Sequence, residues 1–413
     1  MRILIVSDNF SMKMGGEASL PFYYFKLFRA RGIEVHCICH ERVKDEIIES
    51  FSADDVARFT FIKDTKWQIA VYKFSLKFPP RISFIIGQSI SFSTFYRARK
   101  ITKETIAQKN IDVVLEPSQI TPKGLSFMYD LGAPVVIGPL CGGLVFPPAF
   151  EDMDSLTTRV VFKVTRVFSE ILHRFIPGKL QAEALVVANQ RTEDALPKGI
   201  KGKVLHVAES GVDLDIWKPR QQPKRKASDY IHYVYAGRFV DWKGVEFLVS
   251  AFVKMAKNKP VILNLIGGGE LQENIEAQVK KAGIENQVRF HGWITREESS
   301  AIIRECDVFV MPSLRECGGT AILEAMAIGL PAIVTNWCGP AQYVTPECGI
   351  LVNPDSREGF VDGFAKAMST LADSADLREK MGNSGQARVK TEYFDWDSKA
   401  DRMIEIFDEV IKK

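Results

Sequence analysis

The chain has 413 residues, too many for one ordinary hydrophobic core, so two or three domains are expected. Its 46% hydrophobic and 25% charged residues and formal charge of +3 are those of an ordinary globular protein, and this overall charge gives no case for nucleic acid as a partner. No apolar run reaches the ~18 uncharged residues of a spanning helix, and seven cysteines without a CxxC pair point to free thiols in a reducing cytoplasm rather than to disulfides or a metal site.

In chain order, the apolar run at Arg2–Ser7 is too short for a signal peptide and is expected to be a buried first strand. Met14-Gly15-Gly16-Glu17 then leads into a helical pattern over Ala18–Ala30, and strands are expected at Glu34–Ile38 and Arg58–Ile62. Residues 63–103 interleave Lys63, Lys66, Lys73, Lys77, Arg81, Arg97, Arg99, Lys100 and Lys103 with Trp67, Tyr72, Phe74, Phe78, Phe84, Phe92, Phe95 and Tyr96, and hold almost no acid. That mixture suits an anionic membrane surface or a lipid-diphosphate acceptor; a core helix pair with a solvated basic face satisfies it too.

A strand at Asp112–Leu115 is followed by Glu116-Pro117-Ser118-Gln119, and one at Pro134–Ile137 by Gly138-Pro139-Leu140-Cys141-Gly142-Gly143. Asp152-Met153-Asp154 reads as a polar helix start rather than a metal-binding pair, ahead of a basic amphipathic helix over Arg159–Phe175. Strands at Ala184–Ala188 and Val204–Ala208 close the first half. The polar stretch from Pro219 to Lys226 reads as a linker, after which strands are expected at Ile231–Tyr235, Val261–Ile266, Gln287–Phe290, Asp307–Met311, Ala332–Thr335 and Gly349–Val352. Helices over Val245–Lys257, Leu271–Ala282 and Thr320–Ile328 separate several of them. Alternating strands and helices of this kind make two doubly wound α/β domains, each with its ligand edge at the carboxyl ends of its strands.

Two segments of the second half carry chemistry. Gly237-Arg238-Phe239-Val240-Asp241-Trp242-Lys243-Gly244 lies between a strand and a helix, where two cations beside a helix N-terminus suit a diphosphate, or are simply solvated loop charges. Glu316-Cys317-Gly318-Gly319-Thr320 opens a nearly all-apolar helix through its glycines, which let backbone amides approach a ligand. Glu324 sits inside that apolar run, and a buried carboxylate needs a partner: vicinal ribose hydroxyls, or an ion pair.

Glu316 and Glu324, with seven residues between them, resemble the E-x7-E motif of retaining GT-B glycosyltransferases of glycosyltransferase family 4. Gly237-Arg238 with Lys243-Gly244 is similar to that family's diphosphate-binding segment. Gly267-Gly268-Gly269 resembles its glycine-rich turn and His291-Gly292-Trp293 its base-contacting segment. Ser210-Gly211-Val212-Asp213 with Trp217-Lys218-Pro219 looks like the end of its first domain, and Asp395-Trp396 like the start of its closing helix. The resemblance is strong over about residues 230–410 and weaker before.

It implies two Rossmann-like domains facing across a cleft, an acceptor-binding one at 1–218 and a nucleotide-sugar-binding one at 219–394, with residues 395–413 a helix that returns to the first. It further implies that Arg238 and Lys243 neutralise the donor diphosphate, that Glu324 binds ribose, and that Glu316 contacts the transferred sugar, with the amides of Gly318, Gly319 and Thr320 on phosphate or sugar. Gly267, Gly268 and Trp293 would serve the nucleotide, and Gly15, Gly16, Gly142 and Gly143 the phosphate, sugar and acceptor. No metal or other cofactor is implied. Many relatives carry a histidine after the strand that here ends at Leu115; Glu116, Gln119 or the Gly138–Gly143 loop stands in its place.

The activity so implied is retaining transfer from a UDP- or GDP-sugar to a glycan or a polyprenyl-diphosphate-linked acceptor in surface polysaccharide synthesis. It would take place in the cytoplasm, with peripheral membrane contact through residues 63–103 and without nucleic acid. The alternatives are a nucleotide-sugar epimerase of the same fold and a non-catalytic nucleotide-sugar-binding protein. A dinucleotide-dependent oxidoreductase is disfavoured, because no G-x-G-x-x-G follows the first strand.

Overall fold

The computed structural model describes residues 1–14, 16–78, 80–117, 121–154, 168–220, 230–256 and 259–412, apart from the side chains of 80–86 and 88. The chain forms two compact units: Met1–Gly143 with Val161–Glu209 and Lys399–Lys413, and Leu144–Val160 with Ser210–Ser398. The expected linker overlaps residues 221–229, and the expected helix Arg159–Phe175 overlaps 155–167; both stretches lie outside the described residues.

In the first unit the strands are β1 (Arg2–Val6), β2 (Glu34–His40), β3 (Phe59–Ile62), β4 (Val113–Glu116), β5 (Val135–Leu140), β6 (Ala184–Val187) and β7 (Lys203–His206). They form one parallel sheet in the order β3-β2-β1-β4-β5-β6-β7. β1, β4, β5 and β6 are buried nearly end to end, which is why they read as unbroken apolar runs: helices cover both faces of a parallel sheet. The strand order reverses between β1 and β4, so the crevice at their carboxyl ends is this unit's expected ligand edge.

The second unit repeats the design with β8 (Ile231–Ala236), β9 (Val261–Ile266), β10 (Val288–Gly292), β11 (Val308–Met311), β12 (Ala332–Thr335) and β13 (Gly349–Val352), ordered β10-β9-β8-β11-β12-β13. All five pairings are parallel and the reversal falls between β8 and β11. Each of the thirteen expected strands is present within a residue or two at its ends, except β5, which runs three residues further than expected, to Leu140.

The principal helices are α1 (Gly16–Ala30), α2 (Lys66–Ser75), α3 (Pro80–Lys109), α4 (Val245–Ala256), α5 (Gln272–Ala282), α6 (Arg296–Arg304), α7 (Thr320–Ile328), α8 (Arg357–Asp373), α9 (Ala375–Thr391) and α10 (Trp396–Ile411). α10 starts in the second unit, and from Lys399 it belongs to the first, where Phe407 meets Phe28 of α1 edge to face at 5.7 Å. Asp401 pairs with Arg31 at 2.7 Å and Glu409 with Lys203 at 2.9 Å, while the buried Lys399 ammonium donates to the Ala208 carbonyl.

Residues 144–154, ahead of the expected linker, also belong to the second unit. Phe150 is fully buried against Phe247 of α4 and Phe360 of α8, both with centroids 5.5 Å away. Asp152 and Asp154, at the end of a 3-10 helix over Pro148–Met153, pair with Arg357 (2.8 Å) and Arg315 (3.4 Å).

Candidate functional site at the carboxyl edge of the second sheet

β8 and β11 end side by side at the reversal of strand order, and the two motif-bearing loops follow them directly. After β8 the chain turns through Gly237 to Gly244. Gly244 is left-handed (φ +68°), and a Cβ there would lie 2.4 Å from the Pro312 carbonyl oxygen just past β11. Only glycine lets the first loop press onto the second. The Leu314 amide then donates to the Trp242 carbonyl at 2.8 Å. This contact brings the Lys243 ammonium onto the Glu316 carboxylate as an ion pair, mostly shielded from solvent. Beneath it the fully buried Tyr235 hydroxyl donates to the Arg238 carbonyl at 2.9 Å. Burial, and then the charge of Glu316, holds that phenol well above its ordinary range. Arg238 is exposed on the same turn, and its side chain has no ion-pair partner among the described residues.

The glycine-rich turn after β9 lies against this loop, backbone to backbone. Phe239 N donates to Gly268 O at 2.9 Å and Gly237 N to Ile266 O at 3.0 Å. A Cβ on Gly267 would come within 2.0 Å of the Gly237 carbonyl oxygen. Gly268 faces the indole of Trp293, whose Nε1 would be 3.2 Å from an added Cβ; Trp293 is otherwise exposed.

α7 is preceded by Gly319, left-handed at φ +84° and lacking a side chain to cap the helix; the Ile322 amide donates to the Gly319 carbonyl at 2.8 Å, which leaves the amides of Thr320 and Ala321 for other partners. The preceding loop is pinned from the far side. Gly339 N donates to Glu316 O at 3.1 Å, and Gly318 is buried beneath it.

Glu324 projects from the second turn of α7. This nearly all-apolar helix is buried at Ile322, Leu323 and Ala325–Ile328, but the Glu324 side chain keeps 14% of its surface exposed. Of the two partners open to it, the ion pair is present: Arg296, the first residue of α6, sits at 3.7 Å. Burial pushes the Glu324 carboxyl up to about 7 and the Arg296 guanidinium opposes that rise only in part. Arg296 was not singled out from the sequence. The capping box Thr295–Glu298 marks where its helix starts but not which way the side chain faces.

A pH dependence follows. An unfolded Glu324 ionises near its ordinary 4.5 and the folded one near 7. Its stabilising contribution is therefore full below the unfolded value, falls as pH rises through this window, and stays lost above it. Glu324→Gln is expected to raise the unfolding free energy on the order of 2–3 kcal/mol at pH 8 and to leave it unchanged at pH 4, as read by denaturant melts at the two pH values.

In the first unit Gly16 opens α1, while Gly15 and Gln119 lie outside the described residues. Gly142 and Gly143 pack where side chains do not fit: added Cβ atoms would lie 2.3 Å from Pro122 Cδ and 2.9 Å from the Arg191 carbonyl oxygen. Glu116 ends β4 fully buried and accepts from the Ser126 hydroxyl. Burial drives it up to about 7 against that hydrogen bond and the charge of Lys179. Lys179, also buried, donates to the carbonyls of Thr121 (2.6 Å) and Pro122 (3.2 Å), and burial brings it down to about 7. Glu116, one of the three stand-ins expected from the sequence, is thus an enclosed carboxyl in contact with serine.

Residues 217–388 match the family model described as Glycosyl transferases group 1. Among curated relatives, the D-inositol 3-phosphate glycosyltransferase of Paenarthrobacter aurescens is 29% identical over 218 residues, 50% of this chain and 52% of that protein. The lipopolysaccharide core biosynthesis glycosyltransferase LpsE of Rhizobium meliloti is 33% identical over 150 residues, 36% of this chain and 42% of LpsE. Matches to these relatives span about half of their length. Among solved structures, Anabaena Alr3699/HepE in complex with UDP superposes with a TM-score of 0.66 at 16% identity, over 99% of this chain and 100% of that one. The likeness covers both units and shows the GT-B fold of two Rossmann-like domains. The match runs from ahead of β8 into α9, and over these residues the chain is similar to the glycosyl transferases group 1 family.

Proposed function

We propose that the protein is a retaining glycosyltransferase of family 4 type, moving a sugar from a UDP- or GDP-linked donor to a glycan or polyprenyl-diphosphate-linked acceptor in surface polysaccharide synthesis. The observation that carries this reading is the cluster at the β8/β11 edge. A paired Lys243 and Glu316 stand beside a glycine-opened helix without a side-chain cap, and the carboxyl of Glu324, pushed up by burial, lies one turn further on. The family match over this domain, the UDP complex of HepE and the naming of LpsE support the donor and acceptor classes.

In this reading Lys243 and Arg238 take the diphosphate charge, with the amides of Gly318–Thr320 completing the anion site in place of a metal. Glu324 accepts hydrogen bonds from the ribose hydroxyls, and Gly267, Gly268 and Trp293 border the base. Glu316 orients the sugar. Gly15, Gly16, Gly142 and Gly143 belong to the acceptor side. As the bond from the anomeric carbon to the leaving phosphate oxygen breaks, the acceptor oxygen bonds to that carbon on the same face and passes its proton to the leaving oxygen. The cations stabilise the charge that develops on the nucleoside diphosphate.

A thermal-shift panel of nucleoside diphosphates and their sugars tests the donor class. The expected result is stabilisation by a UDP- or GDP-type ligand in the wild type and none in Glu324→Ala. Equal shifts in both proteins, or no shift with any nucleotide, contradict the assignment. With the responding donor, an α-linked product by NMR is expected from an α-linked sugar; a β-linked product excludes retention.

A further inference from the structure

The loop that follows β1 has two unlike sides. Met12, Lys13, Met14, Gly16 and Glu17 are exposed, and a Cβ on Gly16 would meet nothing within 4 Å, so the surface over the start of α1 is open. The inner side is fixed. Ser11 is fully buried; its amide donates to the Ala18 carbonyl of α1 at 2.9 Å, and its hydroxyl accepts from the Lys13 amide at 3.0 Å. Glu46, 35 positions further along the chain, completes the hold. One of its carboxylate oxygens accepts from the Ser11 hydroxyl at 2.5 Å and the other from the Met12 amide at 2.8 Å.

Both partners in this grip are themselves anchored. Glu46 belongs to the short helix Lys44–Ser50, which is held by the fully buried Ile47 and by Phe51 just beyond it, 4.8 Å from Phe22 and 5.0 Å from Phe25 of α1. Phe10, immediately before Ser11, enters the same aromatic cluster, with Phe59 edge to face at 5.0 Å and Phe51 at 6.3 Å. The neighbouring Lys13–Glu49 pair, 3.2 Å apart with both side chains mostly exposed, contributes little by comparison. Glu46 is therefore what sets the shape of an otherwise open loop. That loop leaves β1 beside the reversal of strand order, where open α/β sheets take their ligands, and a ligand-binding loop needs such support from behind.

We infer that Glu46 is a positioning residue for sugar transfer: it holds the loop after β1 in the shape that receives the acceptor, and touches neither substrate itself. This rests on the proposed reaction, in which Gly16 belongs to the acceptor side.

Initial rates of transfer from the responding donor to octyl β-glucoside, octyl β-galactoside and octyl α-mannoside, used as acceptor probes, test it on the full chain. Glu46→Ala should lower kcat/KM for the acceptor about 10- to 100-fold, the scale of an ångström's misplacement. The Kd of the nucleoside diphosphate, which the reading assigns to the second unit, should not change. Glu46→Gln should keep most of the transfer, because its amide oxygen still accepts from the Met12 amide and its nitrogen can donate to Ser11 Oγ. Hydrogen exchange at the Met12 amide needs no substrate, and in Glu46→Ala it should quicken about tenfold, the loss of one hydrogen bond. Unchanged transfer in Glu46→Ala, equal losses in the two variants, or a parallel loss of nucleotide affinity would overturn the inference. A wild type that binds no nucleotide fails the proposed reaction instead; the hold on the loop is then decided by exchange, and an unchanged rate at Met12 overturns it.

Discussion

Lys243→Ala is expected to lower kcat/KM for sugar transfer by at least about 100-fold, the scale on which a fixed donor to a developing oxyanion acts. The loss should appear in donor affinity as well, because in the proposed complex the ammonium meets the diphosphate before and during transfer; a charge-assisted contact of this kind contributes about 1.5–3 kcal/mol, or roughly 10- to 150-fold in Kd. The Lys243–Glu316 pair gives the experiment an internal control. Removing the cation leaves the Glu316 carboxylate mostly enclosed and unpaired, so the single variant should also lose stability. Adding Glu316→Gln should restore the stability without restoring transfer. Recovery of both would mean that Lys243 serves only to neutralise Glu316. Titration of the donor diphosphate and initial-rate kinetics on the two variants separate these outcomes.

Gly339→Ala is expected to disable the site from outside it. Gly339 has an ordinary helical φ of −61°, so alanine meets no backbone penalty there. What it meets is space: the added Cβ would lie 1.7 Å from the Cys317 carbonyl oxygen and 2.8 Å from the Gly318 amide nitrogen. Both contacts are to backbone, so the loop from Glu316 to Gly318 has to move as a unit. Overpacking of this kind costs about 1–3 kcal/mol of stability, and the displaced loop carries Glu316 and the entrance to α7. Transfer should fall by about two orders of magnitude, the penalty for misplacing a catalytic constellation by an ångström. Gly283→Ala is the matched control. Its φ of +67° makes alanine about 1 kcal/mol unfavourable, but no atom lies within 4 Å of the new Cβ, and donor affinity should not change. Equal effects of the two substitutions on transfer would remove the 316–318 loop from the site.

Much of this architecture could be read from residues alone, for a physical reason. Strands such as Val113–Leu115 and Val308–Met311 are buried on both faces, so they stand out as short β-branched runs between helical patterns. Two loops of the candidate site were legible because their geometry demands glycine. Gly244 and Gly267 sit where a Cβ would strike a carbonyl oxygen, so the loops that hold Lys243 and Arg238 carry recognisable spacing. Three features were not legible. Residues 144–154 join the second unit through Phe146 and Phe150, and an aromatic residue in a loop does not reveal which core it enters. Arg296 lies 28 positions before Glu324, and only the packing of α6 on α7 brings the pair within 3.7 Å. The way α2 faces is invisible to composition, since the same lysines and aromatics would serve a helix facing either way; buried Gln68, which donates to Thr94 Oγ1 and to the Ile90 carbonyl, decides it.

The grip of Glu324 on a pentose is tested most directly by a calorimetric cycle. Wild type and Glu324→Ala are each titrated with UDP or GDP, whichever gives the larger thermal shift, and with its 2′,3′-dideoxy counterpart. Loss of the ribose hydroxyls should weaken binding to the wild type about tenfold or more and leave the variant indifferent, giving a coupling on the order of 1–3 kcal/mol. If both proteins discriminate equally against the dideoxy nucleotide, the carboxyl of Glu324 does not hold the ribose.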